Sequence, residues 1–260
     1  MKVALTIAGS DPSGGAGLQA DLKTFQQHGV YGMSVVTLLT VQNTQGVAAV
    51  GMVDDALVQQ QLEAVLTDIP PQAAKTGALG TAAMIRMIAR AAESFRFPLV
   101  VDPVMVSKHG HLLLDHAAMS ELRDNLLPVA TLVTPNRFEV QQLTGIEILD
   151  RDSARQAAEA LQAMGIRGIL LKCGQLQQQA VDLICVNGRC QFLASPALDT
   201  RHTHGSGCVL SAAVTAWLAL GQPLEPAVKL AKKFVTAAIS RAQPIGGGIG
   251  PVNLLVEPRR

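Results

Sequence analysis

Two glycine-rich segments carry the residue types that bind anionic or planar ligands through the backbone. The first, Gly9–Gly17, follows an apolar run and precedes a helical pattern. Because glycine has no side chain, backbone N–H groups in such a segment can approach a ligand closely. No Gly-Lys-Ser/Thr follows, so a P-loop is excluded. The segment predicts either a ligand-contacting loop or a plain strand-to-helix turn.

Residues 15–20 also fit the dinucleotide-binding pattern GxGxxA loosely. That pattern requires an acidic residue about 20 positions later to hold a ribose. The next predicted strand instead runs into Val41-Gln42-Asn43-Thr44, which contains no acid. A dinucleotide-dependent oxidoreductase is therefore the weaker alternative, which binding of a nicotinamide cofactor would reveal.

The second glycine-rich segment contains Gly205 and Gly207, which open an apolar helix. The free N–H groups and the positive dipole end of that helix predict an anion site suited to a transferring phosphoryl group. Cys208 lies in the first turn, where the dipole should lower its pKa, although a small buried thiol is the alternative. A metal site built from His202, His204 and Cys208 is a further alternative, but its spacing matches no standard zinc motif.

The elements that must position these segments alternate between short apolar runs and helical patterns. Several runs are apolar without alternation, which is typical of parallel strands covered on both faces. The predicted strands are Val3–Ala8, Ser34–Thr40, Ala73–Thr76, Leu99–Met105, Thr131–Thr134, Ile166–Lys172, Val181–Val186 and Cys190–Ala194. Helices are predicted around 58–69, 154–164, 206–220 and 224–242, and Asn187-Gly188 should turn a β-hairpin. The pattern predicts one domain over residues 1–260, a three-layer α/β/α sandwich whose ligands bind beyond the carboxyl ends of the strands.

Composition narrows the classes of function. The 260 residues include 21 Lys and Arg against 20 Asp and Glu, a net charge of +1 that offers no basic surface for nucleic acid or an anionic membrane. No apolar stretch is long enough to span a bilayer, and the start is too short in its apolar part for a secretory signal. The four cysteines show no CxxC spacing and suggest reduced thiols in a cytoplasmic protein.

In order along the chain, the motifs resemble those of the hydroxymethylpyrimidine/phosphomethylpyrimidine kinases of thiamine biosynthesis, within the ribokinase superfamily. The resemblance covers essentially the whole chain. The segments that carry it are Ala8–Gly17, Gln19–Thr24, Gln42–Thr44, Val101–Met105, Thr134–Asn136 with Glu139, Thr203–Cys208 and Gly248–Val252. The resemblance implies a ribokinase-like fold and an enzyme that uses ATP and Mg²⁺ to phosphorylate 4-amino-5-hydroxymethyl-2-methylpyrimidine and then its monophosphate.

The resemblance also implies roles for individual residues. Cys208 would be the base, and the backbone of Gly205, Ser206, Gly207 and Cys208 the anion hole. The predicted substrate contacts are Gln42, Asp21, Gly9, Ala78 and Val104. The predicted ATP and phosphate contacts are Asn136, Lys172, Asp102 and Thr203, and Glu139 would hold Mg²⁺ through water. The Gln42 amide can pair twice with an aminopyrimidine edge, which offers an amino donor beside a ring-nitrogen acceptor.

Some positions depart from the family pattern. Ala78 stands where a larger residue, often Met, is usual, and the predicted flap Ser107–His111 contains His109 and His111. These departures leave a pyridoxal kinase of the same fold as a rival, because pyridoxine also offers a hydroxymethyl group on a six-membered ring. A vitamin sensor without turnover is a rival of another class. The expected partner is a small pyrimidine, without nucleic acid or membrane, and the expected assembly is a homodimer in the cytoplasm.

Overall fold

The computed structural model describes residues 1–106, 110 and 114–258. Over these residues the strands join into one nine-stranded sheet with the order β3-β2-β1-β4-β5-β6-β7-β8-β9. The strands are Val3–Ser10 (β1), Tyr31–Asn43 (β2), Gly46–Met52 (β3), Ala73–Thr76 (β4), Leu99–Val101 (β5), Leu132–Val133 (β6), Gly168–Leu176 (β7), Gln179–Val186 (β8) and Arg189–Pro196 (β9). The six central strands are parallel, whereas β3 at one end and β8 and β9 at the other are antiparallel.

Helices cover both faces of this sheet. Their bounds are Gly17–Gln27 (α1), Asp55–Asp68 (α2), Ala82–Ala92 (α3), His116–Glu121 (α4), Arg137–Thr144 (α5), Arg151–Ala163 (α6), Ser206–Ala219 (α7) and Leu224–Ser240 (α8). Apolar side chains of α2–α6 form the core on one face, and those of α1, α7 and α8 form the core on the other. The predicted three-layer α/β/α sandwich of the ribokinase type is confirmed.

The strand order reverses direction at the centre of the sheet. From β1 the chain moves outward to β2 and β3, and it then returns to β4 on the other side of β1. In open α/β sheets, ligands bind in the crevice at such a switch point, outside the carboxyl ends of the strands. Gly9–Gly17 leaves the carboxyl end of β1, and Gly77 and Ala78 leave that of β4. The fold therefore brings these two turns to one crevice.

Helix α7 brings the second glycine-rich segment to the same crevice. Ten of its 14 residues are buried, because it is packed against the sheet with α1 and α8 on its flanks. A helix that is apolar almost all round is stable only in such an interior position. The N-terminus of α7, with Cys208 in its first turn, thus reaches the carboxyl ends of the central strands.

The structure departs from the predicted elements at two points, and a third prediction lies largely outside the described residues. Strand β3 was not predicted, since Gly46–Met52 is a mostly exposed edge strand of small residues without a buried stripe. The fifth strand ends at Val101 instead of Met105, because Asp102 precedes Pro103, which has no N–H to continue the ladder. Of the predicted flap, Gly110 alone belongs to the described residues, and both His109 and His111 lie outside them.

The predicted hairpin is confirmed, with Asn187-Gly188 at its turn between β8 and β9. Its register places Cys185 directly opposite Cys190, and the two sulfurs are bonded in the structure. The prediction of four reduced thiols is therefore wrong for this pair. Cys173 and Cys208 are free. Within the described ranges, no helix is both long and apolar enough to cross a membrane.

Candidate active site

A cavity of about 670 Å³ lies at the carboxyl ends of the central strands. Its lining residues form two chemically different groups, which we name as its two ends. What we call the apolar end is lined by Gly9, Leu38, Gln42, Val47, Ala78, Val104 and Val106. What we call the charged end is lined by Asp102, Asn136, Glu139, Lys172, Asp182 and Lys232. Residues Thr203–Cys208 line the cavity together with both ends.

The glycine-rich turn after β1 is held by the carboxylate of Asp11. Its two oxygens accept hydrogen bonds from the backbone and hydroxyl of Ser13, the backbone N–H of Ala16, and Nε2 of His204. Burial of Asp11 alone would raise its pKa, but these donors outweigh that effect and lower the pKa to about 2. Asp11 is thus ionised at neutral pH and fixes the turn on which α1 begins.

The segment Thr203–Cys208, which leads into α7 and which we call the anion turn, is packed directly on the turn after β1. Gly205 has φ +77°, and a Cβ atom there would lie 1.8 Å from the carbonyl oxygen of Gly15. Only glycine allows both this left-handed backbone and this close approach. The sequence therefore explains why the start of α7 can come so close to the start of α1, and the predicted anion-hole segment Gly205–Cys208 lies along the cavity.

His204 connects the two turns by its side chain. Its Nε2 lies 2.8 Å from Oδ2 of Asp11 and 3.4 Å from Nε2 of Gln42. Oε1 of Gln42 accepts a hydrogen bond of 3.2 Å from the hydroxyl of Thr40. These two contacts orient the Gln42 amide, which lines the apolar end. Among the described residues, no three His, Cys, Asp or Glu side chains form a metal site, so the alternative built on His202, His204 and Cys208 has no support.

The thiol of Cys208 lies in the first turn of α7 and lines the cavity. Burial raises its pKa to about 12, against the opposing effects of the Lys75 ammonium and the backbone N–H of Gly17. The prediction that the helix dipole would lower this pKa is wrong, because desolvation of the thiolate outweighs the favourable end of the helix. The free protein therefore holds Cys208 as a neutral thiol at pH 7.

Asp21 does not line the cavity, although it was predicted to contact the substrate. Its side chain is fully buried on the inner side of α1, where it pairs with Nζ of Lys75 at 2.9 Å and accepts a hydrogen bond from Thr6. Lys75 does line the cavity, and sequence reasoning missed it. The available signal was a lysine inside the short apolar strand Ala73–Thr76, since a buried lysine requires a partner of opposite charge.

An ion pair organises the charged end. Nζ of Lys172 lies 3.1 Å from Oδ1 of Asp102, and the carboxylate also accepts hydrogen bonds from Thr134 and Ser211. A Cβ atom on Gly207 would lie 3.4 Å from Nζ of Lys172, so this pair adjoins the anion turn. The predicted phosphate contacts Asp102 and Lys172 are thereby brought together with Gly207.

Asn136 and Glu139 form a capping box at the start of α5. The Asn136 side chain accepts from the Glu139 backbone, and the Glu139 carboxylate accepts from the Asn136 backbone at 2.7 Å. Burial raises the pKa of Glu139 to about 7, although Lys172 opposes the shift. The spacing N-x-x-E thus has a structural role in addition to its predicted one, and both side chains still line the cavity.

A second ion pair in the charged end was missed by the sequence analysis. Nζ of Lys232 on α8 lies 2.6 Å from Oδ2 of Asp182 on β8. The signal is weak, because Asp182 and Lys232 are far apart in sequence and match no motif. The pair extends the charged end between β8 and α8, where Val235, Thr236 and Ile239 also line the cavity.

Comparison with known proteins agrees with this geometry. The profile of the phosphomethylpyrimidine kinase family matches residues 11–253. A relative from Streptomyces coelicolor, named hydroxymethylpyrimidine/phosphomethylpyrimidine kinase, is 48% identical over 249 residues, which cover 96% of this chain and 93% of the relative. In a structure of its ADP complex, Bacillus subtilis pyridoxal kinase matches with a TM-score of 0.90 and 38% identity over 97% of both chains.

A structure of phosphomethylpyrimidine kinase from Clostridium difficile matches with a TM-score of 0.81 and 41% identity, and covers 92% of this chain and 100% of its own. Both solved structures have the same fold as this chain, and each match extends over more than nine tenths of it. The cavity at the switch point, the anion turn at α7 and these similarities together place the chain in the phosphomethylpyrimidine kinase family of phosphotransferases.

Proposed function

We propose that this kinase transfers the γ-phosphate of ATP to the hydroxymethyl group of 4-amino-5-hydroxymethyl-2-methylpyrimidine and then to the monophosphate, in thiamine biosynthesis. The observation that carries the proposal is one cavity with an apolar end and a charged end, both bordered by the anion turn Thr203–Cys208. A neutral ring with one reactive arm fits the first end, and a nucleotide polyphosphate fits the second. The relative from Streptomyces coelicolor carries the name of this activity.

The ring occupies the apolar end between the turn after β1 and the side chains of Ala78 and Val104. Gly9 is needed there, because a Cβ atom at that position would lie 2.4 Å from Leu38. Gln42 faces the polar edge of the ring, where its amide gives one acceptor and two donors. A ring that cannot pair with this amide leaves it without a partner, which weakens binding of that ring by about 1–3 kcal/mol. Gln42 therefore supplies selectivity between rings.

The polyphosphate occupies the charged end and the anion turn. Lys172 and the N–H groups at the start of α7 face the transferring phosphate, and Thr203 borders the same site. Asn136 and Glu139 are hard oxygen donors that fit Mg²⁺, with Glu139 acting through water. Mg²⁺ bound there would supply neutralisation of the phosphate charge. Lys232 and Asp182 border the remainder of the nucleotide.

Cys208 faces the hydroxyl that is to be phosphorylated. The hydroxyl oxygen is a weak nucleophile until its proton begins to leave, and a positioned base accelerates such a step by about 10²–10⁴-fold. Because the free protein holds the thiol form, the first phosphorylation should become faster as the pH rises toward the Cys208 pKa of about 12. The second phosphorylation uses a phosphate oxygen that is already ionised and should show a weaker pH dependence.

The direct test is mass spectrometry of products formed from ATP, Mg²⁺ and a panel of vitamin precursors. We expect the monophosphate and then the diphosphate of the pyrimidine, with one ADP formed for each phosphate transferred. Binding of the pyrimidine without any phosphorylated product would instead identify a sensor. Absence of both binding and turnover would exclude the proposed substrate.

Pyridoxal is a second candidate substrate because of Ala78. The backbone oxygen of Ala78 accepts a hydrogen bond from the hydroxyl of Thr37. The small side chain of Ala78 leaves space at the apolar end. The Bacillus subtilis structure is of a pyridoxal kinase. Ala78→Met should reduce turnover of pyridoxal more than turnover of the pyrimidine, by about 1–3 kcal/mol in the ratio of kcat/KM. An unchanged ratio in parallel assays would show that Ala78 does not face the ring.

The expected homodimer would use the projecting part of β2. Leu39 and Val41 lie on one face of this strand and are 56% and 62% exposed. Adjacent exposed apolar side chains on a protruding strand are typical of an interface. Leu39→Lys with Val41→Lys should convert a dimer to a monomer in light scattering, whereas a parent protein that is already monomeric would contradict this part of the proposal.

Consumption of ATP is consistent with the cytoplasm as the place where the proposed reaction occurs.

A further inference from the structure

One of the segments that carry the family resemblance lies beside the cavity without lining it. Gly248–Val252 follows α8, and its five residues, all of them described, lie outside the cavity lining. The backbone N–H of Ile249 donates to the carbonyl oxygen of Thr44 at 2.8 Å, and Pro251 forms a parallel bridge with His204. The segment therefore connects the tip of the β2–β3 hairpin with the anion turn, and we call it the strap.

The strap is fixed at its C-terminal end. The N–H of His204 donates to the carbonyl oxygen of Gly250 at 3.1 Å, and the N–H of Val252 donates to the carbonyl oxygen of His204 at 3.2 Å. The side chain of Val252 is buried in the core that α7 and α8 form on the sheet. A Cβ atom on Gly15 would lie 3.0 Å from the Cβ of Pro251. This end of the strap therefore keeps a fixed position relative to both the anion turn and the turn after β1.

The N-terminal end of the strap is packed on the hairpin tip without space for a side chain. A Cβ atom on Gly248 would lie 1.9 Å from the carbonyl oxygen of Thr44. The Gly248 N–H also donates to the hydroxyl of Thr44 at 3.2 Å. The φ angle of Gly248 lies outside the left-handed region, so the close approach of the two backbones is the reason that this position requires glycine.

The hairpin tip projects beyond the backbone pairing of the neighbouring strand. The pairing of β2 with β1 ends at Leu39, and from Thr40 to Asn43 the described partner of β2 is β3. The register of this second pairing shifts between Val41 and Gln42. A two-stranded hairpin is at best marginally stable by itself in water. Gln42 therefore stands on a part of the sheet whose position depends on contacts from outside the hairpin.

We propose that the strap is a positioning element for the reaction: it holds the hairpin tip at a fixed distance from the anion turn and so sets the position of Gln42 against the ring. Gly248 and Ile249 bind the hairpin two residues beyond Gln42, and Gly250 and Val252 bind the anion turn. One short piece of backbone thereby joins the ring site to the phosphate site. The proposal rests on the proposed contact between Gln42 and the pyrimidine.

A purely structural role makes a different prediction. If the strap only stabilises the fold, a disturbance of it should lower the melting temperature and leave the pyrimidine affinity of the folded protein unchanged. If the strap positions Gln42, the same disturbance should weaken pyrimidine binding. That loss should disappear once the Gln42 amide is absent, because two substitutions that act through one contact are not additive.

Gly248→Ala disturbs the strap, and Gly247→Ala is its matched control. Neither glycine has a positive φ, and a Cβ atom on Gly247 would lie 2.7 Å from Nε2 of Gln45, the movable end of an exposed side chain. Hydrogen exchange of the ligand-free protein, read by mass spectrometry of peptides from the hairpin tip, measures the tether directly. Exchange at the tip should be several-fold faster in Gly248→Ala and should keep the parent rate in Gly247→Ala. Equal rates in the two variants would overturn the proposal, whatever the substrate is.

Titration calorimetry with 4-amino-5-hydroxymethyl-2-methylpyrimidine then tests the consequence for binding. Gly248→Ala should raise the Kd by about tenfold, as expected for the loss of one hydrogen-bonded contact, and Gly247→Ala should leave it unchanged. In a Gln42→Ala background, Gly248→Ala should change the Kd by less than about twofold. A further tenfold loss in that background would overturn the proposal. If Gln42→Ala binds the pyrimidine as tightly as the parent, the ring contact is wrong and the proposal with it, and fast exchange at the tip would distinguish this failure from a failure of the strap.

Thermal melting establishes that each variant is folded. Should Gly248→Ala not fold, Thr44→Val replaces it, because that substitution removes the hydroxyl acceptor of the Gly248 N–H without adding bulk at the contact. Thr44→Val should make exchange at the hairpin tip faster and the pyrimidine Kd larger, each by a smaller factor than Gly248→Ala. Parent-like values of both quantities in Thr44→Val would then overturn the proposal.

Discussion

The two ends of the cavity are built from different interactions. The apolar end is shaped by small and aliphatic side chains, and Gln42, oriented by Thr40, is its proposed polar contact to a ring. The charged end contains two ion pairs, Asp102–Lys172 and Asp182–Lys232. Side chains that act by shape make modest and independent contributions to the binding energy, whereas the energy of each buried charge depends on its partner. Selectivity for the ring should therefore be easy to change, and phosphate transfer should not.

The carboxyl groups at the two ends show the same contrast. Asp11, in the turn after β1, has donors on both oxygens, and its pKa is lowered to about 2 despite burial. Glu139, at the charged end, has its pKa raised to about 7 by burial. The first carboxylate is a fixed structural charge, and the second is poised to respond to a cation. The anion turn contacts the turn after β1 through Gly205 and adjoins the charged end through Gly207. It should therefore be the part of the site that tolerates substitution least.

The largest effect is expected for Gly205→Ala. The added Cβ would lie 1.8 Å from the Gly15 carbonyl and would force the anion turn away from the turn after β1. Loss of one oxyanion donor costs about 10²–10³ in kcat, and displacement of the turn moves several donors together. Both phosphorylations should fall by at least about 10²-fold in steady-state assays.

Gly145→Ala is the control for that substitution. Gly145 also has a positive φ, +75°, but a Cβ atom there would meet no atom within 4 Å. It should lower the melting temperature slightly and leave turnover near the parent value. Equal losses of activity in both variants would mean that backbone strain, and not the anion turn, explains the result.

The next effect separates the two phosphorylations. Cys208→Ala keeps the backbone N–H groups of the anion turn but removes the proposed base. The first phosphorylation should fall by about 10²–10⁴-fold, while the second, whose nucleophile is already ionised, should fall much less. Separate kinetics on the alcohol and the monophosphate measure this. Equal losses on both substrates would show that Cys208 shapes the anion turn and is not the base.

A smaller and selective effect is expected for Gln42→Ala. Loss of the amide should weaken pyrimidine binding by about 1–3 kcal/mol for each partner left unpaired and should leave ATP binding nearly unchanged. Titration calorimetry with each ligand gives both values. Gln45→Ala is the control, since Gln45 is exposed in the same β2–β3 hairpin and does not line the cavity. Equal weakening of both ligands would remove Gln42 from the proposed ring contact.

The sequence predicted the layers of the fold because parallel, doubly covered strands leave near-continuous apolar runs, as in Leu99–Val101. It could not predict β3, whose small exposed residues leave no such pattern. At the site, motif order predicted that Cys208 and Gly205 stand at a helix start, which is a local feature, and both line the cavity; their roles stay predictions. It misplaced Asp21, because the direction in which a helix residue points depends on how α1 docks. It also missed the burial that raises the pKa of Cys208, which depends on elements distant in sequence.

The smallest effect concerns stability and tests Asp11 as a fixed charge. Its pKa is about 2 in the folded protein against an ordinary value of 3.8, so the unfolded chain binds more protons between these pH values. The stabilisation is complete above about pH 4 and is lost as the pH falls through 2, and the shift corresponds to about 2 kcal/mol. Urea unfolding from pH 5 to pH 2 should therefore show a steeper loss of unfolding free energy in the parent than in Asp11→Asn. His204→Gln should remove part of the same slope, because the hydrogen bond from His204 contributes to the lowered pKa. Identical slopes in the parent and Asp11→Asn would mean that this carboxylate does not hold the turn, and the contrast with Glu139 would then not extend to stability.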